Sequence, residues 1–205
     1  MTAGEKQSRA ERDALDVVAM QRVLAGDDSG LEELYDRHAP LVLGVALKIL
    51  RDQREAEDVV HDAFVAVVER ADQFRADRGS VIAWLVAAVR NLALDRARRK
   101  VRRAQITEEE LRHEPVDGVL DPEAISLLVR RQQAVHAALE HISESQRRTL
   151  EIAFFEGLSY PEIAEREGVP LGTVKSRAAR ALAALRAALE GTVDSTGNPE
   201  PPSEP

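Results

Sequence analysis

Apolar residues recur along this chain at helical spacing, in blocks separated by short polar breaks. The clearest block is Ala56, Val59, Val60, Ala63, Phe64, Val67, Val68 and Ala71. This unbroken i, i+3, i+4, i+7 stripe predicts a helix with one buried face. Its other face carries Glu55, Glu57, Asp58, His61, Asp62 and Glu69. A second stripe, Val81, Trp84, Leu85, Ala88, Val89 and Leu92, predicts a helix capped by Ser80 after a loop at Arg75–Gly79. Upstream, a helix is expected over residues 13–25. A GDDSG turn follows, with Ser29 as N-cap, and then a helix or helix pair over residues 31–50, bent near Pro40.

The segment Leu158–Leu185, LSYPEIAEREGVPLGTVKSRAARALAAL, predicts two short helices joined by a tight turn. Ser159 with Glu162 forms a capping box that starts the first helix at Tyr160, and Pro161 is tolerated in its first turn. Ile163 and Ala164 face inward. Gly168 stands where that helix must end in a left-handed conformation, and Pro170 blocks its continuation. Leu171, Val174, Ala178, Ala181, Leu182, Leu185, Ala188 and Leu189 make the apolar face of the second helix. Lys175, Ser176, Arg177 and Arg180 fall off that face, where they can reach phosphates and base edges. This is the form of a helix-turn-helix that enters a DNA major groove. An ordinary helical hairpin with a solvated basic face would share the charge, but not the agreement of cap, glycine and proline signals.

Composition narrows the class. The chain has 205 residues, 44% of them apolar and only 3% aromatic, so its cores are built from Leu, Val and Ala and the expected fold is all-α. It has no cysteine, which excludes a disulfide frame, a thiolate zinc site and a cysteine nucleophile. The first residues, MTAGEKQSRAERDALD, hold no apolar signal core, and no apolar run approaches a membrane span, so a cytoplasmic protein is expected. The net charge of −8 argues against nucleic acid, but local charge reverses that inference. Arg90, Arg96, Arg98, Arg99, Lys100, Arg102 and Arg103 stand against the single acid Asp95 in one stretch. Nucleic-acid affinity follows the phosphates neutralised at the contact surface, not the whole-chain sum.

The expected organisation is two small helical domains joined by a flexible acidic linker. Residues 1–12 are expected to be disordered, 13–103 to form the first domain and 104–121 to form the linker, where EEELRHEPVDGVLDP breaks the periodicity. Residues 122–190 form the second domain, with helices over 122–139 and 143–156 before the helix-turn-helix. Residues 191–205 are a disordered tail.

In this order the segments resemble an extracytoplasmic-function (ECF) RNA polymerase sigma factor of the sigma-70 family. LEELYDRHAPLVLGVALKILRDQREAEDVVHDAFVAVVER is similar to the segment that docks on the polymerase clamp. FRADRGSVIAWLVAAVRNLALDRARRK is similar to the promoter-melting segment. SESQRRTLEIAFFEGLSYPEIAEREGVPLGTVKSRAARALAAL is similar to the −35-binding domain. The resemblance implies that Asp58, His61 and Asp62 meet the clamp of the largest polymerase subunit, although the family usually has Gln-Glu where this chain has His61-Asp62. The acids can also be read as a solvated helix face, and Phe64, on the apolar stripe, as core.

The loop from Phe74 to Gly79 matches the family's loop for a base flipped from the −10 element. Arg75, Arg78, Arg90, Asn91, Arg96, Arg98 and Arg99 would serve that strand. Trp84 offers a ring for stacking, but its place on the apolar stripe assigns it to the core. Thr173, Lys175, Ser176, Arg177 and Arg180 match the −35 recognition helix. Arg177 is the best candidate for guanine readout, and Arg147 and Arg148 for the DNA backbone. Further implied partners are the flap of the second-largest polymerase subunit and a restraining anti-sigma factor.

The expected function is an alternative sigma factor that directs promoter-specific initiation. The alternative is a stand-alone helix-turn-helix regulator. No enzyme is expected: the five histidines show no metal spacing, no phosphate loop or nucleophile motif occurs, and no cofactor is implied.

Overall fold

The computed structural model describes residues 3–107 and 142–190. All regular structure among these residues is helical, and no described helix is long and apolar enough to cross a membrane. The chain divides into two compact units, one spanning residues 7–128 and the other chiefly residues 129–205.

The first unit holds α1 (Ala3–Leu24), α2 (Asp28–Leu50), α3 (Gln53–Glu69), two 3-10 turns (Ala71–Gln73 and Ala76–Arg78) and α4 (Val81–Thr107). The predicted α3 stripe is buried at Ala56, Val59, Val60, Ala63, Phe64 and Val67. Val68, expected inside, is half exposed. Around the stripe pack Ala19, Met20 and Val23 of α1, Leu34, Val42 and Ala46 of α2, and Val81, Leu85, Val89 and Ala93 of α4. Each large aliphatic side chain fully removed from water there contributes about 1.5–3 kcal/mol. Alanines at the crossings let the helix backbones approach.

Phe64 is core, as expected, and meets the Tyr35 ring at 4.9 Å. Trp84 packs half-buried against the same core, 6.0 Å from Phe74.

Local chemistry sets the element ends. Asp52 caps α3 by accepting from the Glu55 N–H at 3.1 Å. Arg51, at φ 53°, closes α2 one residue earlier, so the α2–α3 connection is very short. Ser80 caps α4 as expected, its hydroxyl accepting from the Ala83 N–H at 3.4 Å.

Helix α2 is a single helix with Pro40 inside it, one of the two forms expected over residues 31–50. Three expectations are corrected. The cap of α2 is Asp27, not Ser29: the Asp27 carboxylate accepts the Ser29 N–H at 3.0 Å. Helix α1 begins at Ala3, so residues 3–12 are helical where disorder was expected. The run AGEKQSRAER is rich in strong helix formers, and propensity can extend a helix beyond its buried stripe. Helix α4 likewise continues past residue 103 to Thr107, into the expected linker. The rest of that linker, the 122–139 helix and the 191–205 tail lie outside the described residues.

The second unit holds α5 (Glu144–Glu151), a π-helical turn (Ile152–Glu156), α6 (Tyr160–Glu167) and α7 (Leu171–Glu190). The helix expected over 143–156 therefore changes to a π turn in its second half, before Gly157 ends it at φ 69°. Ser143 caps α5 in a box with Gln146, and Ser159 caps α6 in the predicted box with Glu162. Gly168 ends α6 at φ 65°. Its N–H reaches Glu165 O at 3.3 Å and the Val169 N–H reaches Ala164 O at 3.1 Å, the two bonds of a Schellman ending. Ile152, Ile163 and Val174 form the core, with Leu158, Tyr160, Ala164 and Val169 against it.

Candidate nucleic-acid interface

Helix α7 is held to its unit by Val174, Ala178 and Ala181, all buried. Leu171 and Leu182, expected on the same face, are 38% and 55% exposed; the buried face is narrower than the periodicity implied. The opposite side presents Lys175 and Arg180 exposed, with Thr173, Ser176 and Arg177 partly buried beside them. The Ser176 hydroxyl donates to Thr173 O at 2.9 Å, which orders the first turn.

Lys175, Arg177 and Arg180 make no ion pair with any described residue. The cations of the neighbouring helices differ. Arg148, expected to hold DNA, lies 3.1 Å from Glu167, and Arg166 pairs with Glu156. The Glu156 hydrogen bond raises the Arg166 pKa above its ordinary value, against an opposing effect of burial. Arg147 is partly buried on α5. Within this unit, Lys175, Arg177 and Arg180 of α7 face no described carboxylate, whereas Arg148 of α5 and Arg166 of α6 are paired.

In the first unit the expected strand-contacting residues separate into groups. Arg75 folds back, donating to Asp72 O at 2.7 Å and Phe74 O at 3.2 Å. Arg78 and Gly79 form one wall of an open recess whose other wall is Asp13, Ala14 and Val17 of α1. Helix α1 had no site role in the sequence reading, yet it borders this loop. On α4, Asn91, Arg98 and Arg99 are exposed. Arg90 donates to Asn91 Oδ1 at 3.4 Å, and Arg98 lies 3.5 Å from Asp95.

Arg96 departs from its expected place. It turns to α3, where Nε is 3.1 Å from Glu55 Oε2, Nη1 is 3.5 Å from Asp58 and Nη2 is 4.0 Å from Asp62. Lys100 reaches Asp52 at 3.6 Å. The sequence did carry a signal for this. Arg96 and Lys100 each follow a fully buried residue, Val89 and Ala93, by seven positions, so they continue the α3-facing stripe of α4. Asp58, His61 and Asp62 are exposed on α3 as expected.

One ionisable cluster was not foreseen. Asp16 of α1 and His38 of α2 are each 1% exposed. His38 Nε2 donates to Asp16 Oδ2 at 2.8 Å, and Arg37 pairs with the other carboxylate oxygen. Burial pushes the Asp16 carboxyl up, but His38 and then Arg37 outweigh it and hold the group below the ordinary aspartate value. The cluster ties α1 to α2. No group of His, Asp and Glu among the described residues is arranged to hold a metal.

The family description "Sigma-70 region 2" matches residues 34–103, and "Sigma-70, region 4" matches residues 132–185. The chain is 30% identical, over 91% of its length and 98% of the relative's, to ECF RNA polymerase sigma factor SigK of Mycobacterium tuberculosis (strain CDC 1551 / Oshkosh). It is 31% identical to the SigK of Mycobacterium sp. (strain KMS), over 78% of this chain and 83% of that one. Among solved structures it is similar to Rhodobacter sphaeroides SigE in complex with the anti-sigma ChrR. That match has 27% identity and a TM-score of 0.44, covering 85% of this chain and 97% of that one. It is also similar to the sigma factor RpoE in complex with the anti-sigma factor NepR from Bartonella quintana. There the identity is 26% and the TM-score 0.38, covering 80% of this chain and 98% of that one.

Proposed function

The chain belongs to the ECF RNA polymerase sigma factors, and from that membership we propose that it lends promoter specificity to core RNA polymerase through the faces described above. As a sigma factor it is a non-enzymatic initiation factor, and the chemistry of RNA synthesis belongs to the polymerase.

Asp58, His61 and Asp62 on the exposed side of α3 dock on the clamp of the largest subunit, by charge and hydrogen bonding to basic side chains. Asn91, Arg90, Arg98 and Arg99 on α4 meet the separated −10 strand, Asn91 through a base edge and the arginines through phosphates. The recess between Arg78–Ser80 and α1 receives the extruded base. Unstacking that base costs a few kcal/mol, which contacts in the recess partly offset. In the second unit Arg177 reads a base in the −35 major groove, while Thr173, Lys175, Ser176 and Arg180 position the helix. Arg147 and Arg148 support the backbone, Arg148 by exchanging Glu167 for a phosphate. This unit also contacts the flap of the second-largest subunit. An anti-sigma factor restrains the free chain in the cytoplasm by covering these faces.

The observation that supports this reading most is the presence, in one chain, of both region matches, with α7 keeping cations that no described carboxylate engages. The test is reconstituted transcription. Core polymerase with this chain is expected to start at discrete promoter sites where core alone does not, and Arg177→Ala is expected to weaken initiation at −35-dependent promoters. Tight duplex binding by the chain alone, without binding to core, would overturn the proposal in favour of a stand-alone regulator.

A further inference from the structure

The carboxylates assigned to polymerase docking and a cation assigned to the opened strand are held together in one network. A single guanidinium, Arg96, spans Glu55, Asp58 and Asp62, acids at i, i+3 and i+7 on one side of α3. It also donates to Glu55 O at 3.3 Å. The network lies at the surface: the Arg96 side chain is 35% exposed, and those of Asp58 and Asp62 are 69% and 56% exposed. Ion pairs so placed are weak singly and screened by salt. Other cations can therefore take these carboxylates. Three acids against one arginine leave the cluster net negative, so the partner that completes it is basic. Arg99 lies three residues beyond Arg96, a neighbour on the helix surface. A phosphate held at Arg99 is therefore within reach of a released Arg96.

Building on the sigma-factor reading, we infer that this network is an exchange device linking docking to strand capture. In the free chain the α3 acids occupy Arg96 and withhold it from nucleic acid. A basic partner surface that takes Glu55 together with Asp58 and Asp62 releases Arg96 to a phosphate of the separated strand. Because such coupling is reciprocal, strand binding by Arg96 strengthens docking by the same factor.

The test uses the full chain without polymerase and a labelled single-stranded DNA, titrated across a salt series. In the wild-type chain Arg96→Gln is expected to leave the slope of log affinity against log salt nearly unchanged, because Arg96 is already occupied. In a chain carrying Glu55→Gln, Asp58→Asn and Asp62→Asn, Arg96 is free. Affinity at low salt is then expected to rise by about threefold to tenfold. Adding Arg96→Gln in that background should flatten the slope by about 0.7, the contribution of one phosphate on a single strand. Asp58→Asn with Asp62→Asn alone should give the same pattern at smaller size, which covers any loss of folding in the larger variant. Equal effects of Arg96→Gln in both backgrounds would overturn the inference. Since no polymerase is present, that outcome is distinct from a failure of promoter-directed transcription, which would sink the functional reading instead.

Discussion

Replacing Gly30 with alanine tests the close approach of α1 and α2. A Cβ at position 30 would lie 2.4 Å from Ala19 O, 2.9 Å from Arg22 Cβ and 3.0 Å from Val23 N. Non-bonded carbon contacts sit at about 3.5–4.0 Å, so α1 would have to retreat by roughly 1 Å. Two of the three obstructing atoms are backbone and cannot rotate away. The retreat would loosen Ala19, Met20 and Val23, which α1 contributes to the core.

Overpacking of this kind costs about 1–3 kcal/mol. The entropy removed from the unfolded chain by Gly→Ala returns only about 0.4–1 kcal/mol. The net expectation is a loss of about 1–2 kcal/mol. Gly44 supplies the control. It lies on the same helix, exposed, and a Cβ there would meet nothing within 4 Å. Gly44→Ala should therefore stabilise, by about 0.5–1 kcal/mol.

Urea unfolding followed by the fluorescence of Trp84, the chain's single tryptophan, reports on the first unit. With a slope of about 1–2 kcal/mol/M, the two variants' midpoints should separate by about 1 M or more, on opposite sides of wild type. Movement of both in the same direction would refute the packing argument.

Asp16→Asn should cost about 3 kcal/mol, the low end for breaking a buried pair, because Arg37 keeps Glu33 at 3.6 Å. The Asp16 carboxyl is depressed in the folded chain, so its contribution is full above the unfolded value of about 3.9 and is lost as pH falls below it. The stability gap between wild type and Asp16→Asn should narrow over that acidic range; a gap independent of pH would refute the assignment. Ser159→Ala removes one half of the α6 capping box and should lower the stability of the second unit by about 0.5–2 kcal/mol. Thermal unfolding monitored by circular dichroism checks this, and no change would show that the cap is dispensable. For holoenzyme on duplex promoter DNA, Lys175→Ala and Arg180→Ala should each flatten the salt slope by about 0.9, with a similar loss on every sequence. Arg177→Ala should instead cost about 1–3 kcal/mol and relax preference at one base pair. Identical sequence profiles for the three variants would refute this division of roles.

The helix-turn-helix was legible almost residue by residue, because its signals are local. A serine with a glutamate three residues on, a glycine at a left-handed ending and a proline after it act through backbone geometry within one turn. The α3 stripe was equally plain, since six of its eight expected positions are buried within the helix and Ala71 is buried just beyond it. Less was legible where two local signals competed. Asp27 and Ser29 are both good caps, and only the chain's path into α2 chose Asp27. The α1 extension had no apolar stripe to announce it and rests on propensity alone.

What the sequence by itself determined is the all-helical class, the positions of the main helices in the described chain and the separation of acidic, basic and helix-turn-helix segments. Those properties follow from periodicity, capping and charge along one dimension. What only the tertiary structure decided is which charges answer one another. Arg96 counted as one of seven cations in a basic run until the packing of α4 on α3 turned it to Glu55, Asp58 and Asp62. Asp16 and His38, twenty-two positions apart, became a buried pair only when α1 crossed α2 over Gly30. Ion pairing depends on distances of a few ångströms between residues remote in sequence, and only the packed fold sets those distances.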